Sequence, residues 1–577
     1  MIKRLVKCIR EYKKNSILAP VYVTLEVIME VVIPLLMAKL IDAGIDAGNM
    51  NYVWKMGGVL LIATLASLLF GILAGKHAAI ASTGFAKNLR KDMYYNVQEY
   101  SFSNIDKFSS ASIVTRLTTD VTNVQNAYQM IVRIAVRCPV MLVSALIMAF
   151  TVNPKIAIVF LAAIPILGIG LFLIMTNAHP IFERVFQTYD KLNRVVQENL
   201  RGIRVVKSFV REEEENKKFG EVSESIFKDF SKAESLLAFN APLMQFCMYG
   251  CMIFISWFGA RLIVSGSMTT GQFMSMITYA IQILMSLMMV SMVLVMIVIS
   301  RASAERIVEI LEEESDLHNN ENAIHEIKNG EIVFDHVGFS YCNDKNKLSL
   351  MDADFTIKSG ETVGIIGGTG SSKSSLVQLI PRLYDVTEGS VRVGGIDVRD
   401  YDIESLRNEV AMVLQKNVLF SGTIKENLRW GNEHATDEEL VRVCKLAQAD
   451  EFIQTFPDGY DTYIEQGGSN VSGGQKQRLC IARALLKKPK ILILDDSTSA
   501  VDTKTDALIR KAFREEIPNT TKIIIAQRIS SIQDADKILV LEGGKINAMG
   551  THEELLAANS IYQEVYYSQV KGGIGDE

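Results

Sequence analysis

Residues 361–380 read ETVGIIGGTGSSKSSLVQLI. The short apolar run at 363–366 predicts a buried strand, and the glycine-rich segment after it predicts a turn into a helix. Such a turn aims backbone N–H groups at phosphate oxygens. Lys373 would reach the β- and γ-phosphates of a nucleotide, and the hydroxyl of Ser374 would bind Mg²⁺. The segment therefore predicts an α/β domain that binds a nucleotide.

The match of this segment to the phosphate-loop pattern G-x-x-x-x-G-K-[ST] is incomplete. Gly367 occupies the first glycine position, but Ser372 stands at the second. A serine adds a Cβ where the backbone approaches the phosphates, and it makes a positive φ costly. The pattern alone therefore leaves the nucleotide site open, and a second element is needed.

That second element is the segment ILILDDSTSAVD at 491–502. Its apolar first half predicts a buried strand, which would hold the carboxylate of Asp495 beside the Mg²⁺ ion of a bound nucleotide. Asp496 follows directly, where a catalytic base would lie. The phosphate loop and the aspartate strand together predict nucleotide binding.

The composition divides the chain into unlike halves. At 577 residues it is too long for one hydrophobic core, which predicts at least two domains. Hydrophobic residues make up 49% and charged residues 22%, and the apolar excess lies in the first 300 residues. A net charge of -5 gives no reason to expect a nucleic-acid partner.

Six apolar segments in the first half are long enough to cross a membrane, since a span needs about 20 residues. They are residues 16–41, 56–76, 133–152, 155–176, 243–265 and 273–298. The N-terminal sequence MIKRLVKCIREYKK is strongly basic, which places it in the cytoplasm by the positive-inside rule. The connections at 77–132 and 177–242 then lie in the cytoplasm, as does everything after the sixth span.

Both long connections have helical periodicity, which predicts that the membrane helices continue into the cytoplasm. Each would turn back through a short segment, and the two predicted turns are residues 118–125 and 202–209. Two interpretations of these hairpins remain open. They are either solvated surfaces or levers that contact a second domain.

Two pairs of charged residues with helical spacing lie within the predicted spans. Glu26 and Glu30 are one helical turn apart in the first span, and Arg133 and Arg137 repeat that spacing at the start of the third. Ionisable groups at membrane depth are functional candidates because isolated charges are costly there. The arginines are close enough to the inner interface to snorkel. The glutamates lie deeper in their span, so snorkelling does not account for them.

Between the phosphate loop and the aspartate strand lies NVSGGQKQRLCIARALLKKPK, at 470–490. With the six spans, the phosphate loop and the aspartate strand, its SGGQ motif resembles the ATP-binding cassette (ABC) exporters over essentially the whole chain. The resemblance implies a multi-domain fold: an all-α polytopic membrane domain, with six long transmembrane helices and cytoplasmic extensions, and an α/β P-loop NTPase cassette. We expect the membrane domain at 1–318, a linker at 319–330 and the cassette at 331–577.

In this family two cassettes pair head to tail, so that each ATP lies between one subunit's phosphate loop and the other subunit's SGGQ segment. One membrane domain with one cassette is therefore half a transporter. The resemblance implies ATP and Mg²⁺ as cofactors and a second half-transporter as the partner subunit. It also implies a multi-pass protein of the bacterial cell membrane, with its N-terminus and cassette in the cytoplasm.

The resemblance assigns roles to individual residues of the cassette. Tyr341 would stack on adenine, and Asp502 would lie in the loop that links the two ATP sites. The phosphate loop would comprise Gly367, Gly370, Ser371, Ser372, Lys373, Ser374 and Ser375. The Mg²⁺ ligands would be Ser374, Asp495 and Gln415, of which Gln415 also contacts the attacking water and faces the membrane domain.

Two further sets follow from the same resemblance. The signature, which caps the γ-phosphate held by the partner, would comprise Ser472, Gly473, Gly474 and Gln475. The two predicted turns become coupling helices that dock on cassettes, with Asp120, Val121, Gly202 and Arg204 as candidates. Glu26, Glu30, Arg133 and Arg137 are then candidates for a substrate cavity shared with the partner subunit. The glutamates would suit cationic cargo and the arginines anionic cargo, so the charge of the cargo stays open. Membrane lipid is a further expected partner.

Three positions depart from the family members that hydrolyse ATP. Those members carry glutamate after the Walker B aspartate and histidine in the switch strand, where this chain has Asp496 and Gln527. Aspartate is shorter than glutamate by about 1.5 Å, and a displacement of about 1 Å costs on the order of a hundredfold in rate. Ser372 is the third departure. The catalytic set of Asp496, Gln527 and Gln415 therefore resembles a degenerate site, whereas the signature is intact apart from Val471.

This asymmetry resembles the degenerate-site subunit of bacterial heterodimeric multidrug-type exporters. The leading hypothesis is ATP-driven export of an amphipathic small molecule or peptide by a heterodimer, with hydrolysis mainly at the site built on the partner. Two alternatives remain open. One is a homodimeric exporter in which Asp496 works slowly, and the other is a regulatory or channel-like ABC protein gated by nucleotide.

Overall fold

The structure is a computed structural model of the chain, and it describes residues 1–496 and 501–572. Its contacts separate two compact units. The first comprises Met1–Gln98 and Ser110–Glu313, and the second comprises Glu99–Ser109 and Glu314–Glu577. The predicted linker at 319–330 packs on the second unit, where Ile324 forms a bridge with Tyr401.

The N-terminal part of the chain is helical. In chain order its helices are α1 (Ile2–Lys7), α2 (Lys13–Leu40), α3 (Met50–Gln98), α4 (Phe102–Phe108), α5 (Ser110–Thr115), α6 (Val121–Val152), α7 (Pro154–Arg201), α8 (Ile203–Ser208), α9 (Glu212–Ala238), α10 (Asn240–Val264) and α11 (Thr270–Glu312). Two π-helical turns, Ile41–Ile45 and Arg116–Asp120, continue α2 and precede α6. In the first unit, α2 packs against α3, α6 and α11.

Six helical stretches in the described residues are long and apolar enough to cross a membrane. They are Arg10–Ile45, Met50–Gln98, Ser110–Val152, Pro154–Phe182, Glu212–Val264 and Thr270–Leu294. Each predicted span falls on one of them to within a few residues. With 49 residues, α3 is about 70 Å long, more than twice the roughly 30 Å hydrocarbon core. The predicted extensions beyond the membrane are therefore confirmed.

The prediction of a turn at 118–125 is wrong. Residues 121–125 belong to α6, and a π-helical turn leads into it without a break. The carboxylate of Asp120 is buried and accepts hydrogen bonds from Ser303 and Arg306 of α11, at 2.8 and 2.7 Å. These contacts hold a helix across threonines and an aspartate whose own helix propensity is low. Asp120 and the buried Val121 are therefore packing residues of the first unit.

The short helix of this connection lies earlier in the chain, at α4. Ser101 and Asn104 form a capping box at its start, in which each side chain accepts from the other residue's backbone N–H. Residues Glu99–Ser109 belong to the second unit.

The prediction of a turn at 202–209 is confirmed. Gly202 ends α7, and α8 connects it to α9, which packs back against α7. Arg204 is exposed on α8. Phe209 and Val210 follow α8 and are 72% and 80% exposed, so the tip of this hairpin presents apolar side chains to its surroundings.

The second unit contains the strands and the remaining helices. Its strands are β1 (Ile332–Phe339), β2 (Leu350–Ile357), β3 (Thr362–Gly367), β4 (Glu388–Val393), β5 (Ile396–Asp397), β6 (Val410–Val413), β7 (Gly422–Thr423), β8 (Tyr463–Ile464), β9 (Ile491–Asp495), β10 (Thr521–Ile525), β11 (Lys537–Glu542) and β12 (Lys545–Gly550). Its helices are α12 (Lys373–Gln378), α13 (Ile403–Glu409), α14 (Ile424–Arg429), α15 (Asp437–Leu446), α16 (Asp450–Gln454), α17 (Gly473–Leu486), α18 (Thr503–Glu516), α19 (His552–Ala558) and α20 (Ser560–Gly572).

Two main sheets organise this unit. An antiparallel sheet has the order β2-β1-β4-β5, and a mostly parallel sheet has the order β12-β11-β3-β10-β9-β6. All five residues of β9 and of β10 are buried, as expected for central parallel strands covered on both faces. Since β3, β10 and β9 are parallel neighbours, the segments after them emerge at the same edge. The second unit is thus an α/β domain, and the predicted fold class is confirmed.

Candidate functional site

A cleft lies at the carboxyl edge of the parallel sheet, where α/β folds bind ligands. Its volume is about 650 Å³, which suits a small molecule. The cleft is lined by Tyr341, Ser349, Ile366, Gly367, Gly368, Thr369, Gly370, Ser371, Ser372, Lys373, Ser374, Ser375, Gln415, Asp495, Asp496, Ile525, Gln527 and Val565. The structure therefore brings together the residues predicted for the phosphate loop, the metal and the degenerate catalytic set.

Two positions of the loop require glycine, one because a neighbouring strand lies too close for a side chain and one because its φ is positive. A Cβ on Gly367 would lie 2.2 Å from the backbone oxygen of Leu541 on the neighbouring strand β11. Gly370 has a φ of +80°, which a residue with a Cβ rarely adopts. These two positions fix where the loop leaves β3 and where it turns.

Ser372 adopts the left-handed conformation that the second glycine of the pattern would supply. Its φ is 68° and its ψ is 24°, a conformation that costs a serine roughly 1 kcal/mol. Its hydroxyl donates a hydrogen bond to the backbone oxygen of Ser349 at 2.6 Å. That bond offsets the strain, so serine keeps the loop conformation but ties the loop to the start of β2.

Lys373 is held inside the loop. Its ammonium donates to the backbone oxygens of Gly367 and Gly368, each at 2.8 Å. Burial lowers the pKa of Lys373, and the nearby carboxylates of Asp495 and Asp496 oppose that shift. A cation so placed balances the two carboxylates and is available to a phosphate.

Asp495 lies at the end of β9 and is buried. Its Oδ1 accepts a hydrogen bond from the hydroxyl of Ser374 at 3.0 Å. Burial raises the pKa of Asp495, and the adjacent charge of Asp496 raises it further. A buried carboxylate, a hydroxyl and the amide of Gln415 in one cleft are the oxygen donors that Mg²⁺ prefers. The residues therefore fit a nucleotide-bound Mg²⁺ ion.

Asp496 and Gln527 are bonded to each other. The amide Nε2 of Gln527 donates to Oδ2 of Asp496 at 2.7 Å. Asp496 also has a positive φ of 49°. Asp496 stands at the position of the catalytic base, and Gln527 stands at the position of the switch residue. The two side chains thus form a hydrogen-bonded pair in which the donor is a neutral amide.

Gln569, on α20, is a further residue of the site that was not predicted from the sequence. Its Nε2 donates to the backbone oxygen of Gln527 at 2.8 Å, and its Oε1 accepts from the N–H of Ile529 at 2.9 Å. This amide therefore fixes the backbone on both sides of Arg528. No motif marks Gln569, because its role depends on the C-terminal helix folding back to the cleft.

Tyr341 is half-exposed beside the phosphate loop, and its hydroxyl lies 2.9 Å from Oγ of Ser375. Tyr384 contacts it edge-on, with ring centroids 5.3 Å apart. The hydroxyl of Tyr384 donates to Asp106 of α4 at 2.7 Å, and its ring meets Phe102 of α4 at 6.0 Å. These contacts were not predicted, because α4 itself was not predicted.

The signature segment forms the start of α17 and lies outside the cleft. Ser472 caps the helix: its hydroxyl accepts from the N–H of Gln475, and its own N–H donates to Oε1 of Gln475 at 2.8 Å. Gly473 is exposed in the first turn and Gly474 follows it. A capped helix of 14 residues with its first turn open presents N–H groups to an external anion.

Asp502 caps α18, and its Oδ1 accepts from the N–H of Thr505 at 2.9 Å. That hydrogen bond lowers the pKa of Asp502. Residues 497–500, which precede it in the predicted linking loop, lie outside the described residues.

The charged residues of the predicted spans lie in the first unit. Nη1 of Arg137 donates to Oε1 of Glu26 at 2.6 Å, and Nη2 donates to both oxygens of Glu30 at 2.8 and 2.7 Å. Arg137 thus links α6 to two turns of α2. The guanidinium of Arg133 lies apart from this triad, over Gly75 of α3.

Comparison with known proteins agrees with both units. Residues 16–304 match the model of the ABC transporter transmembrane region, and residues 350–499 match the model of the ABC transporter. The ABC transporter ATP-binding protein YfiB of Bacillus subtilis is 39% identical over 566 residues, which cover 98% of each chain. The chain belongs to the ABC transporters.

Two further relatives of this ABC transporter extend the comparison. The ATP-dependent lipid A-core flippase of Acinetobacter baylyi is 33% identical over 571 residues, covering 98% of this chain and 97% of the flippase. The structure of a bacterial Atm1-family ABC exporter with ATP bound is 24% identical, with a TM-score of 0.80 over 97% of this chain and 99% of that chain. The transporter thus has the exporter fold, with a transmembrane region and an ATP-binding cassette on one chain. It is a multi-pass, ATPase-coupled transporter that binds ATP.

Proposed function

We propose that this ABC transporter is one half of a heterodimeric exporter, which moves an amphipathic or hydrophobic molecule across the cytoplasmic membrane of a bacterium. The chain supplies an ATP site that holds nucleotide with little hydrolysis. It also supplies a signature that completes a hydrolytic site on the partner subunit. Its N-terminus and cassette lie in the cytoplasm.

The hydrogen bond between Gln527 and Asp496 carries this proposal. A general base must lie within hydrogen-bond reach of the water that it activates. Asp496 is shorter than the glutamate of hydrolytic relatives, and its Oδ2 is engaged by Gln527 at 2.7 Å. Gln527 is neutral, so it offers the γ-phosphate one hydrogen bond without a positive charge. Both features lower hydrolysis at this chain's own site.

The remaining cleft residues support retention of ATP and Mg²⁺ there. Lys373 is positioned for the β- and γ-phosphates, and the exposed face of Tyr341 is available to the adenine ring. Ser374, Asp495 and Gln415 supply oxygen donors for Mg²⁺. The chain therefore keeps the residues that bind ATP and Mg²⁺, but it lacks a base as long as glutamate for hydrolysis.

The signature supports the second half of the proposal. The helix start at 472–475 is capped, its first residues are exposed and none of them lines this chain's own cleft, so its N–H groups and the positive end of α17 are open to an external anion. We assign it to the γ-phosphate bound by the partner.

Two apolar surfaces support coupling between subunits. The tip of the α7–α9 hairpin exposes Val205, Phe209 and Val210, and we propose that it docks on the partner's cassette. A groove on this chain's own cassette is lined in part by the exposed side chains of Leu414, Val418, Phe420 and Trp430, and it would receive the equivalent hairpin of the partner.

The test is purification of the tagged chain from its native membrane, followed by assays of what assembles. We expect a complex of one copy of this chain with a second half-transporter whose Walker B strand ends in Asp-Glu and whose switch carries histidine. In inside-out vesicles the complex should accumulate a hydrophobic cationic dye in an ATP-dependent manner. A self-associated chain with robust ATPase activity would establish the homodimer instead. ATP-dependent equilibration without accumulation would establish a gated channel.

A further inference from the structure

Helix α3 carries two glycines one turn apart, and a charged side chain ends over each of them. A Cβ on Gly71 would lie 3.1 Å from Oε1 of Glu26, and a Cβ on Gly75 would lie 3.6 Å from Nη1 of Arg133. One turn of helix rises about 5.4 Å. The carboxylate and the guanidinium therefore lie along the same face of α3, separated by roughly one turn. We call this strip at Gly71 and Gly75 the α3 groove.

The carboxylate of Glu26 is only half satisfied. Oε1 accepts from Arg137, but Oε2 is buried and has no hydrogen-bond donor among the described residues. The residue as a whole is 8% exposed. Glu30 differs, because both of its oxygens accept from Arg137. An unpartnered carboxylate oxygen at membrane depth is costly, which indicates that Glu26 Oε2 has a donor in the working protein.

Arg133 is the complementary group. In the described part of the chain its guanidinium forms no hydrogen bond or ion pair with another side chain, although Arg137, one turn further on α6, forms two ion pairs. The groove therefore offers one acceptor and one cationic donor, and neither neutralises the other. A ligand that satisfies both must carry an ammonium group and an anionic oxygen group a few ångströms apart.

The surface beside the groove is apolar. Leu68, Leu69 and Ile72 of α3 are exposed to more than half of their area, and Tyr22 of α2 stacks on Phe70 with ring centroids 6.4 Å apart. Acyl chains attached to a headgroup in the groove would lie against these side chains. This favours a lipid over a soluble zwitterion.

We propose that the α3 groove at Gly71 and Gly75 binds the zwitterionic headgroup of a phospholipid, with its ammonium on Glu26 Oε2 and its phosphate on Arg133. A phospholipid would then be the substrate class of the exporter, and this part of the proposal rests on the proposed function. Charge-assisted hydrogen bonds at both ends supply the selectivity.

The test is lipid binding by the full-length chain in detergent, measured by native mass spectrometry. The probes are phosphatidylethanolamine and phosphatidylglycerol with identical chains, and glycerophosphoethanolamine, which has the same headgroup without chains. The wild-type chain should bind phosphatidylethanolamine about tenfold more tightly than phosphatidylglycerol, as expected for one charge-assisted contact. Glycerophosphoethanolamine should bind far more weakly than the lipid.

Variants separate the two ends of the headgroup. Glu26→Gln should remove the preference for phosphatidylethanolamine, and Arg133→Gln should weaken the binding of both lipids. Glu30→Gln is the matched control: it removes the same charge one turn away, where both oxygens are already engaged, and the preference should persist. Equal binding of the two lipids by the wild type, or loss of the preference in Glu30→Gln, would overturn the proposal.

These experiments distinguish failure of the headgroup site from failure of the export proposal. ATP binding by the same samples should be unchanged in all three variants, which verifies the fold. If the lipid preference follows Glu26 but the assembled complex transports nothing, the headgroup site stands and export fails. If the complex transports a non-zwitterionic dye while the lipid preference is absent, export stands and the headgroup site fails.

Discussion

In an ABC transporter, the cleft at the end of the parallel sheet and the start of α17 each contact an ATP molecule. In this chain the cleft carries substitutions, whereas the start of α17 is intact. In the cleft, the shortened carboxylate of Asp496 is bonded to Gln527, and Ser372 adopts a strained left-handed conformation. At α17, Ser472 and Gln475 complete a full capping box. This difference between the two elements supports our proposal that the chain pairs with an unlike partner.

The largest loss of ATPase activity should come from disrupting the intact signature at the start of α17. Gly473→Glu places a negative charge at the positive end of α17, where we propose that the partner's γ-phosphate binds. We expect steady-state ATPase activity of the complex to fall by at least a hundredfold, as for loss of a preorganised phosphate contact at about 3 kcal/mol or more. Gly220→Glu, on an exposed part of α9 with open space around it, is the matched control and should retain full activity.

Repairing the weak element should give the next largest effect. Asp496→Glu combined with Gln527→His restores a reach of about 1.5 Å and a side chain that can carry a charge, so turnover at this chain's own site should rise about tenfold or more. Single-turnover hydrolysis in a complex whose partner site is inactivated measures it. Asp496→Asn should leave turnover of the intact complex unchanged, and a large loss in that variant would place a working base at Asp496.

Removing nucleotide from the weak site should have a smaller effect on turnover. Lys373→Ala deletes the ammonium that would bind the β- and γ-phosphates, and ATP affinity at that site should fall about tenfold, as for loss of a charge-assisted contact. Turnover of the complex should fall only a few fold, because we propose that most hydrolysis takes place at the site built on the partner. Lys358→Ala, an exposed lysine of the same unit, is the control. Abolished turnover in Lys373→Ala would mean that this chain's own site hydrolyses.

The smallest effect concerns the loop itself. Ser372→Ala keeps the strained φ but removes the hydrogen bond to Ser349, so we expect a loss of about 1 kcal/mol in the free energy of unfolding. Ser372→Gly loses the same bond but also relieves the strain, so its stability should match the wild type to within about 0.5 kcal/mol. Thermal unfolding of the full-length variants in detergent measures both. Equal destabilisation by alanine and glycine would contradict the strain at Ser372.

Strong local patterns made much of the fold predictable. The apolar runs of β3, β9 and the six spans are long and regular, and the cleft follows from where parallel strands end. The hairpin at α8 was also predictable, because Gly202 interrupts a helical pattern. The position of α4 was not, because buried contacts of Asp120 with Ser303 and Arg306 keep 118–125 helical, and these partners lie more than 180 residues away in the chain.

Side-chain pairing in the site was beyond sequence reasoning for the same reason. Composition and spacing placed Glu26, Glu30, Arg133 and Arg137 in the membrane, but not which arginine the glutamates share. The bond between Gln527 and Asp496 joins segments that only the sheet order brings together. Gln569 and Tyr384 act through residues far away in sequence, and neither belongs to a recognised motif.

ATP turnover by the purified chain without its partner tests directly whether this chain's own site hydrolyses ATP. The comparison is between the wild type and Lys373→Ala, in which the phosphate loop is disabled. We predict that the wild-type chain binds Mg-ATP and releases it unhydrolysed, with phosphate release no faster than in Lys373→Ala. Sustained phosphate release well above that of Lys373→Ala would contradict it and establish Asp496 as a working base.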